Sequence, residues 1–200
     1  HDVRVIYHGV PIRERRPEKS WDRLIIGWTG RMEDVQKNIF LMPRIARELI
    51  RRGYRGKFQW HIVGSGPDSA RLAGLVGKMG LKDCVRLHGR IPHENIVDIL
   101  EGWNCFVFPS RFEGLGYSLL EAMAAGCVPI VSNIRGVFDY IVTEGCGFIV
   151  KSGGAAGYAD AICELMNDRE KLVAMSQKAR ERIVTHFSVD RMAREHAEYF

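Results

Sequence analysis

Two hydrophobic periods alternate along this chain. Short apolar runs bounded by turn residues predict strands at Leu24 to Trp28, Lys57 to Val63, Cys84 to His88, Asn104 to Phe108 and Cys127 to Ser132. Gly147 to Val150 reads as an edge strand, and Val3 to Tyr7 as a short strand or a linker. Between them the period lengthens to that of a helix. Ile39 to Ile50 carries apolar residues at Ile39, Met42, Ala46, Leu49 and Ile50, with Pro43 near its first turn. Asp68 to Met79 predicts a helix that stops at Gly80. A short helix from Glu94 to Leu100 follows Pro92, another connects the Phe108 and Cys127 strands, and another spans Val137 to Thr143. Three more fill the tail: Ala155 to Asn167, Glu170 to His186 and Ser188 to Phe200. Strands that alternate with helices predict a mostly parallel sheet with right-handed crossovers. The expected fold class is therefore α/β: one Rossmann-like three-layer domain over residues 1–200, with residues 154–200 as its helical tail. No repeat, low-complexity segment or long linker interrupts the pattern.

The strand-to-helix turns hold the candidate chemistry. Ligands of such sheets sit outside the carboxyl ends of the strands, where helices begin and offer unpaired N–H groups to anions. The strongest block is Glu113-Gly114-Leu115-Gly116-Tyr117-Ser118-Leu119-Leu120-Glu121, between the strand ending at Phe108 and the strand beginning at Cys127. Two carboxylates stand eight positions apart around a glycine turn and a helix start. Gly114 and Gly116 let backbone approach a ligand closely, and Glu121 is placed to accept hydrogen bonds from a pair of hydroxyls. After the first strand, Gly30 and Arg31 come shortly before Lys37. The planar fork of Arg31 and the point charge of Lys37 are suited to a diphosphate. Gly64-Ser65-Gly66-Pro67 begins like a dinucleotide fingerprint but has Ser69 where the third glycine is required, so no NAD site is expected and a structural turn is the default. His88-Gly89-Arg90-Ile91-Pro92 makes the next turn.

Composition narrows the alternatives. With 46% hydrophobic and 26% charged residues, the chain is an ordinary globular sequence, and no apolar run reaches the roughly 18 residues of a membrane span. The net charge of +5 suits phosphate-bearing ligands or a solvated surface, while no aromatic–basic stripe favours nucleic acid. Cys84, Cys105, Cys127, Cys146 and Cys163 include no C-x-x-C pair, and the histidines show no zinc spacing. The cysteines read as reduced, structural thiols of a cytoplasmic protein. A first residue of His1 and not Met suggests a piece of a longer protein.

The block F-P-S-R-F-E-G-L-G-Y-S-L-L-E-A-M-A-A-G-C-V-P-I-V-S resembles the donor motif, E-x7-E, of the retaining GT-B glycosyltransferases of family 4 (glycosyl transferases group 1). Further matches are the G-R-x-x-x-x-x-K segment from Gly30 to Lys37, V-I-Y-H-G-V at Val5 to Val10, and the closing F-S-V-D-R-M-A-R-E-H-A-E-Y. The resemblance covers nearly the whole chain and implies the C-terminal half of a GT-B fold. It implies that Arg31 and Lys37 bind the donor pyrophosphate and offset charge on the leaving group, with Glu113 at the sugar. Gly114, Leu115 and Gly116 would donate N–H groups to the sugar and distal phosphate, and Glu121 would hold the ribose hydroxyls. Gly30 would belong to the same donor-binding segment as Arg31 and Lys37, Gly64 would sit in a loop at the mouth, and Arg90 and Ile91 would wall the nucleobase. Glu113, Arg31 and Lys37 would be the catalytic group. It further implies a UDP- or GDP-linked sugar as substrate, no metal or other cofactor, and an N-terminal domain that supplies the acceptor site. The acceptor would be a glycan or lipid. A peripheral contact with the cytoplasmic membrane face stays open, through tail cations Lys171, Lys178, Arg180, Arg182, Arg191 and Arg194. So do two other functions, a nucleotide-sugar epimerase and a non-catalytic sugar-nucleotide module. The chain departs from the family at Arg135-Gly136, where a glycine pair is usual, and at Asp139, where a Glu is usual.

Overall fold

The computed structural model describes residues 4–14, 19–20, 22–151 and 154–199. Its strands are β1 (Leu24–Thr29), β2 (Phe58–Val63), β3 (Val85–Gly89), β4 (Cys105–Phe108), β5 (Val128–Ser132) and β6 (Phe148–Val150). Its helices are α1 (Asp34–Lys37), α2 (Leu41–Arg51), α3 (Ser69–Lys78), α4 (Ile96–Glu101), α5 (Tyr117–Ala124), α6 (Phe138–Ile141), α7 (Ala155–Asn167), α8 (Arg169–His186) and α9 (Val189–Tyr199). A 3₁₀ turn, His93–Asn95, leads into α4.

All six strands are parallel, in the order β3-β2-β1-β4-β5-β6. The expected α/β fold is therefore present, as a three-layer sandwich. The chain lays down β1, β2 and β3 in one direction, then returns to place β4 on the other side of β1. That reversal opens a crevice between the carboxyl ends of β1 and β4, the position where such sheets bind ligands. β1 and β4 meet through Ile26 opposite Cys105 and Gly27 opposite Phe106.

Burial on both faces explains the apolar strands. β4 is buried throughout, and Trp28, Trp60, Phe106 and Phe108 are fully covered. Gly27 has a specific packing reason. A Cβ there would lie 1.7 Å from the Trp103 ring, so the indole fills the space that a side chain would take. Asn104 is 0% exposed and extends the β1–β4 seam: its Oδ1 accepts from the Ile25 N–H at 2.6 Å, and its Nδ2 donates to the Ser20 carbonyl at 2.9 Å. The helical tail folds back over the sheet, with α7 against α2 and α8 against α5.

Several boundaries differ from expectation for local reasons. Residues 4–7 form no strand, and Val3 lies outside the described residues. Tyr7 instead stacks its ring on Tyr140, 4.6 Å between centroids, and the chain first bridges at Val10, opposite Ser188. The first predicted helix starts at Leu41, not Ile39, because Asn38 adopts a left-handed φ of 52° and ends a separate short helix, α1. The last helix begins at Val189, and Phe200 lies outside the described residues. Gly80 takes a φ of 66° just beyond α3, the conformation expected of a glycine stop. All five cysteines are free, and all but Cys163 are buried, as small apolar side chains would be.

Candidate nucleotide-sugar site

The loop after β1 is braced by the loop after β2. The Gly30 N–H donates to the Val63 carbonyl at 3.1 Å, and the Met32 N–H to the Ser65 carbonyl at 2.9 Å. A Cβ on Gly64, whose φ is 139°, would sit 1.9 Å from the Gly30 carbonyl oxygen; one on Gly66 would sit 2.4 Å from that of Met32. The G-S-G-P turn thus has its glycines because two backbones touch.

The segment that carries Lys37 is fixed from two directions. Asp34 Oδ1 accepts from the Phe40 N–H at 2.9 Å. The Arg111 guanidinium, from the loop after β4, reaches Asn38 Oδ1 at 2.6 Å and Asp34 Oδ2 at 3.3 Å. The Asn38 amide donates to the Pro109 carbonyl at 3.2 Å. The exit loops of β1 and β4, distant in sequence, therefore hold each other across the crevice.

Lys37 Nζ lies 2.6 Å from Glu113 Oε1, with the two side chains only 16% and 6% exposed. The ammonium also stands 5.4 Å from the centre of the Phe108 ring. Arg31 does not join them: its side chain is 70% exposed and its nearest acid is Glu33, 3.6 Å away. The two cations expected to act together thus differ. Lys37 points inward onto a carboxylate, and Arg31 stands at the rim.

Glu121 comes from the helix that follows. Gly116 opens α5 with a φ of 79°, and a Cβ there would press on Phe108 at 3.2 Å and Phe138 at 3.3 Å. One helical turn later the Glu121 carboxylate, 12% exposed, enters a cleft of about 290 Å³ together with Gly30, Gly64, Arg90, Ile91 and His93. Burial pushes the Glu121 carboxyl above the usual carboxylate range, and His93 partly opposes this. The His93 Nε2 lies 3.6 Å from Glu121 Oε1. His93 carries no sequence signal, being an exposed turn residue far along the chain from Glu121.

Of the predicted residues, then, Gly30, Gly64, Arg90, Ile91 and Glu121 share one cleft. Lys37 and Glu113 form a pair beside it, joined to it through the loop that begins at Gly30. Gly114 has open space where a side chain would be, while Leu115 packs partly against the core. Arg135 and Asp139 are exposed. Among the described residues, no three or more His, Cys, Asp or Glu side chains are grouped to hold a metal ion, and no helix is long and apolar enough to cross a membrane.

The chain is 32% identical over 158 residues to alpha-D-kanosaminyltransferase of Streptomyces kanamyceticus, covering 79% of this chain and 40% of that protein. It is 36% identical over 128 residues to the lipopolysaccharide core biosynthesis mannosyltransferase LpsB of Rhizobium meliloti (strain 1021), covering 62% and 36% respectively. Among solved structures, an S. aureus TarM mutant in complex with fondaparinux, alpha-GlcNAc-glycerol and UDP superposes with a TM-score of 0.86 at 24% identity, over 99% of this chain and 40% of that one. Sucrose-phosphate synthase from Thermosynechococcus elongatus gives 0.84 at 25% identity, over 98% and 51%. These curated relatives are longer, and the chain spans about 40% or less of each. The family model for glycosyl transferases group 1 matches residues 12–182, and the chain belongs to that family.

Proposed function

We propose that this chain is the donor-binding half of a retaining glycosyltransferase, which moves a hexose-type sugar from a UDP or GDP carrier to a glycan or lipid acceptor. The observation that carries the reading is the convergence of Gly30, Arg90, Ile91 and Glu121 in one cleft at the β1–β4 reversal, with Lys37 and Glu113 alongside. In this reading Glu121 accepts hydrogen bonds from the ribose 2′- and 3′-hydroxyls. The turn at Arg90 and Ile91 walls the base. The diphosphate lies between the Gly30 loop and the start of α5, whose first N–H groups have no partner within the helix.

The ion pair gives this reading its chemistry. Without donor, Glu113 neutralises Lys37. A diphosphate carries more charge and more acceptor oxygens than one carboxylate, so it draws the ammonium away. Lys37, joined by Arg31 from the rim, then offsets the charge that grows on the departing diphosphate, and no metal is needed for that step. The released Glu113 carboxylate turns to the hydroxyls of the sugar. Catalysis rests on positioning and charge stabilisation. The second domain of the protein supplies the acceptor and closes over the sugar. UDP in the S. aureus TarM complex supports the nucleotide assignment, as does Anabaena HepE in complex with UDP and glucose.

The test is sugar transfer by the full-length protein from a panel of nucleotide sugars, with the anomeric configuration of the product read by NMR. Retained configuration, and loss of transfer in Lys37→Ala and Glu121→Ala, is expected. An inverted product would overturn the retaining reading, and full activity in both variants would overturn the site.

A further inference from the structure

A second cleft, away from the β1–β4 crevice, lies between α2 and α3 on the outer face of the sandwich. It measures about 310 Å³, the size at which small-molecule sites begin. Three cations line it: Arg44 in the first turns of α2, Arg71 in the first turn of α3 and Lys78 at its end. Its floor is apolar, formed by Phe40 and Leu75, and Gly74 leaves it open because nothing lies within 4 Å of the position a Cβ would take there.

Several arginines of the described surface are answered by carboxylates, among them Arg51 and Arg52 by Glu48, Arg55 by Asp83, Arg111 by Asp34 and Arg191 by Glu195. No carboxylate lines this cleft, and Arg44, Arg71 and Lys78 make no ion pair among the described residues. Like charges gathered on a concave surface repel each other, and field lines focus there to attract anions. Arg71 also stacks on the floor, its guanidinium carbon 4.5 Å from the centre of the Phe40 ring. A planar guanidinium stacked on an aromatic ring keeps its edge N–H groups free for a phosphate.

We propose that this cleft binds a phosphate-bearing ligand, with the phosphate on Arg44, Arg71 and Lys78 and the uncharged part on Phe40 and Leu75. The site is separate from the donor cleft but borders the segment that carries Lys37, because Phe40 is hydrogen-bonded to Asp34 at the start of α1. The same chemistry is offered by a soluble phosphate ester and by a phospholipid headgroup.

The experiment follows backbone amide shifts of the 200-residue chain during titration with glycerol 3-phosphate. It is repeated for Arg44→Gln, Lys78→Gln and Arg71→Lys. Arg44 and Lys78 make no contact that the fold needs, so those variants keep the structure. Saturable shifts at Phe40, Gly74 and Leu75 are expected, weakened about tenfold by each removal of a cation, the equivalent of one charge-assisted hydrogen bond. Arg71→Lys keeps the charge but loses the planar fork, and an intermediate affinity is expected. Co-sedimentation with phosphatidylcholine vesicles, with and without phosphatidylglycerol, separates the two sources: retention on the anionic vesicles alone, lost in Arg44→Gln, assigns a headgroup, and shifts without retention assign a soluble ester. Shifts confined to Gly30 and Lys37, or shifts unchanged by the Arg44 and Lys78 substitutions, would overturn the proposal.

Discussion

The pair between Lys37 and Glu113 makes a quantitative prediction. An exposed ion pair contributes about 0–1 kcal/mol, whereas removing one partner of a buried pair costs about 3–5 kcal/mol. Exposures of 16% for Lys37 and 6% for Glu113 place this pair near the buried limit. Lys37→Met leaves the more deeply buried Glu113 carboxylate without its cation, and a cost of about 2–3 kcal/mol is expected. Glu113→Leu leaves an ammonium that retains a path to water, for about 1–2 kcal/mol. The double variant leaves no charge behind and should lie within about 1 kcal/mol of the original protein. The coupling energy is then about 2 kcal/mol or more. In a domain of this size Lys37→Met should lower the Tm by about 4–12 °C. Urea unfolding of the four proteins, followed by tryptophan fluorescence, measures the cycle. If the two single costs add in the double variant to within about 0.5 kcal/mol, the pair is not coupled and the account of Lys37 as a cation held in reserve fails.

Other predictions rest on single features. Burial raises the Glu121 carboxyl, so its protonated form is favoured in the folded protein; that stability is present below the unfolded pKa and is lost as pH rises through the folded one. Glu121→Gln should therefore raise the Tm at pH 7, with the gain vanishing in acid, while nucleotide affinity falls about tenfold or more; a lower Tm at pH 7 would contradict this. Burial, with His88 and Arg86 nearby, pushes His61 down to about 4, so the unfolded chain binds more protons between that value and the ordinary histidine pKa. Stability should fall as pH drops through that window, and His61→Phe should flatten the slope in a pH series of urea melts. Gly64→Ala must displace the Gly30 carbonyl, 1.9 Å from the new methyl, at a φ of 139°, and a loss of about 3 kcal/mol or more by calorimetry is expected. Gly27→Ala drives a methyl into the Trp103 ring and should lose about as much, with a change in the near-UV circular dichroism of tryptophan.

Features that depend on neighbours along the chain are legible in the amino-acid sequence. The sheet and most helices follow from apolar runs of two periods, and Glu121 stands out because Gly116, the helix start and the following strand lie within a few residues of it. Features that depend on contacts between distant segments are not legible in this way. The Lys37–Glu113 pair joins residues 76 positions apart, and nothing local to either announces the other. His93 meets Glu121 only because the turn after β3 and helix α5 converge at the sheet edge. Helix α1 spans four residues, too short to show a period, and is defined by Asp34 and Asn38 contacts with other loops. Arg31 and Lys37 suit a diphosphate by residue type, but their different settings are not legible: a left-handed Asn38 and the tie to Pro109 turn Lys37 inward, while Arg31 stays at the rim.

The central claim is that the β1–β4 crevice holds a nucleoside diphosphate. It is met most directly by calorimetric titration of this chain with UDP, GDP and ADP, in EDTA, beside Arg31→Ala and Glu121→Ala. The account predicts preference for one nucleotide, binding that survives chelation, and a loss of affinity in both variants, larger for Glu121→Ala because its carboxylate is the more buried group. Binding of equal strength in the original protein and in Glu121→Ala would contradict it.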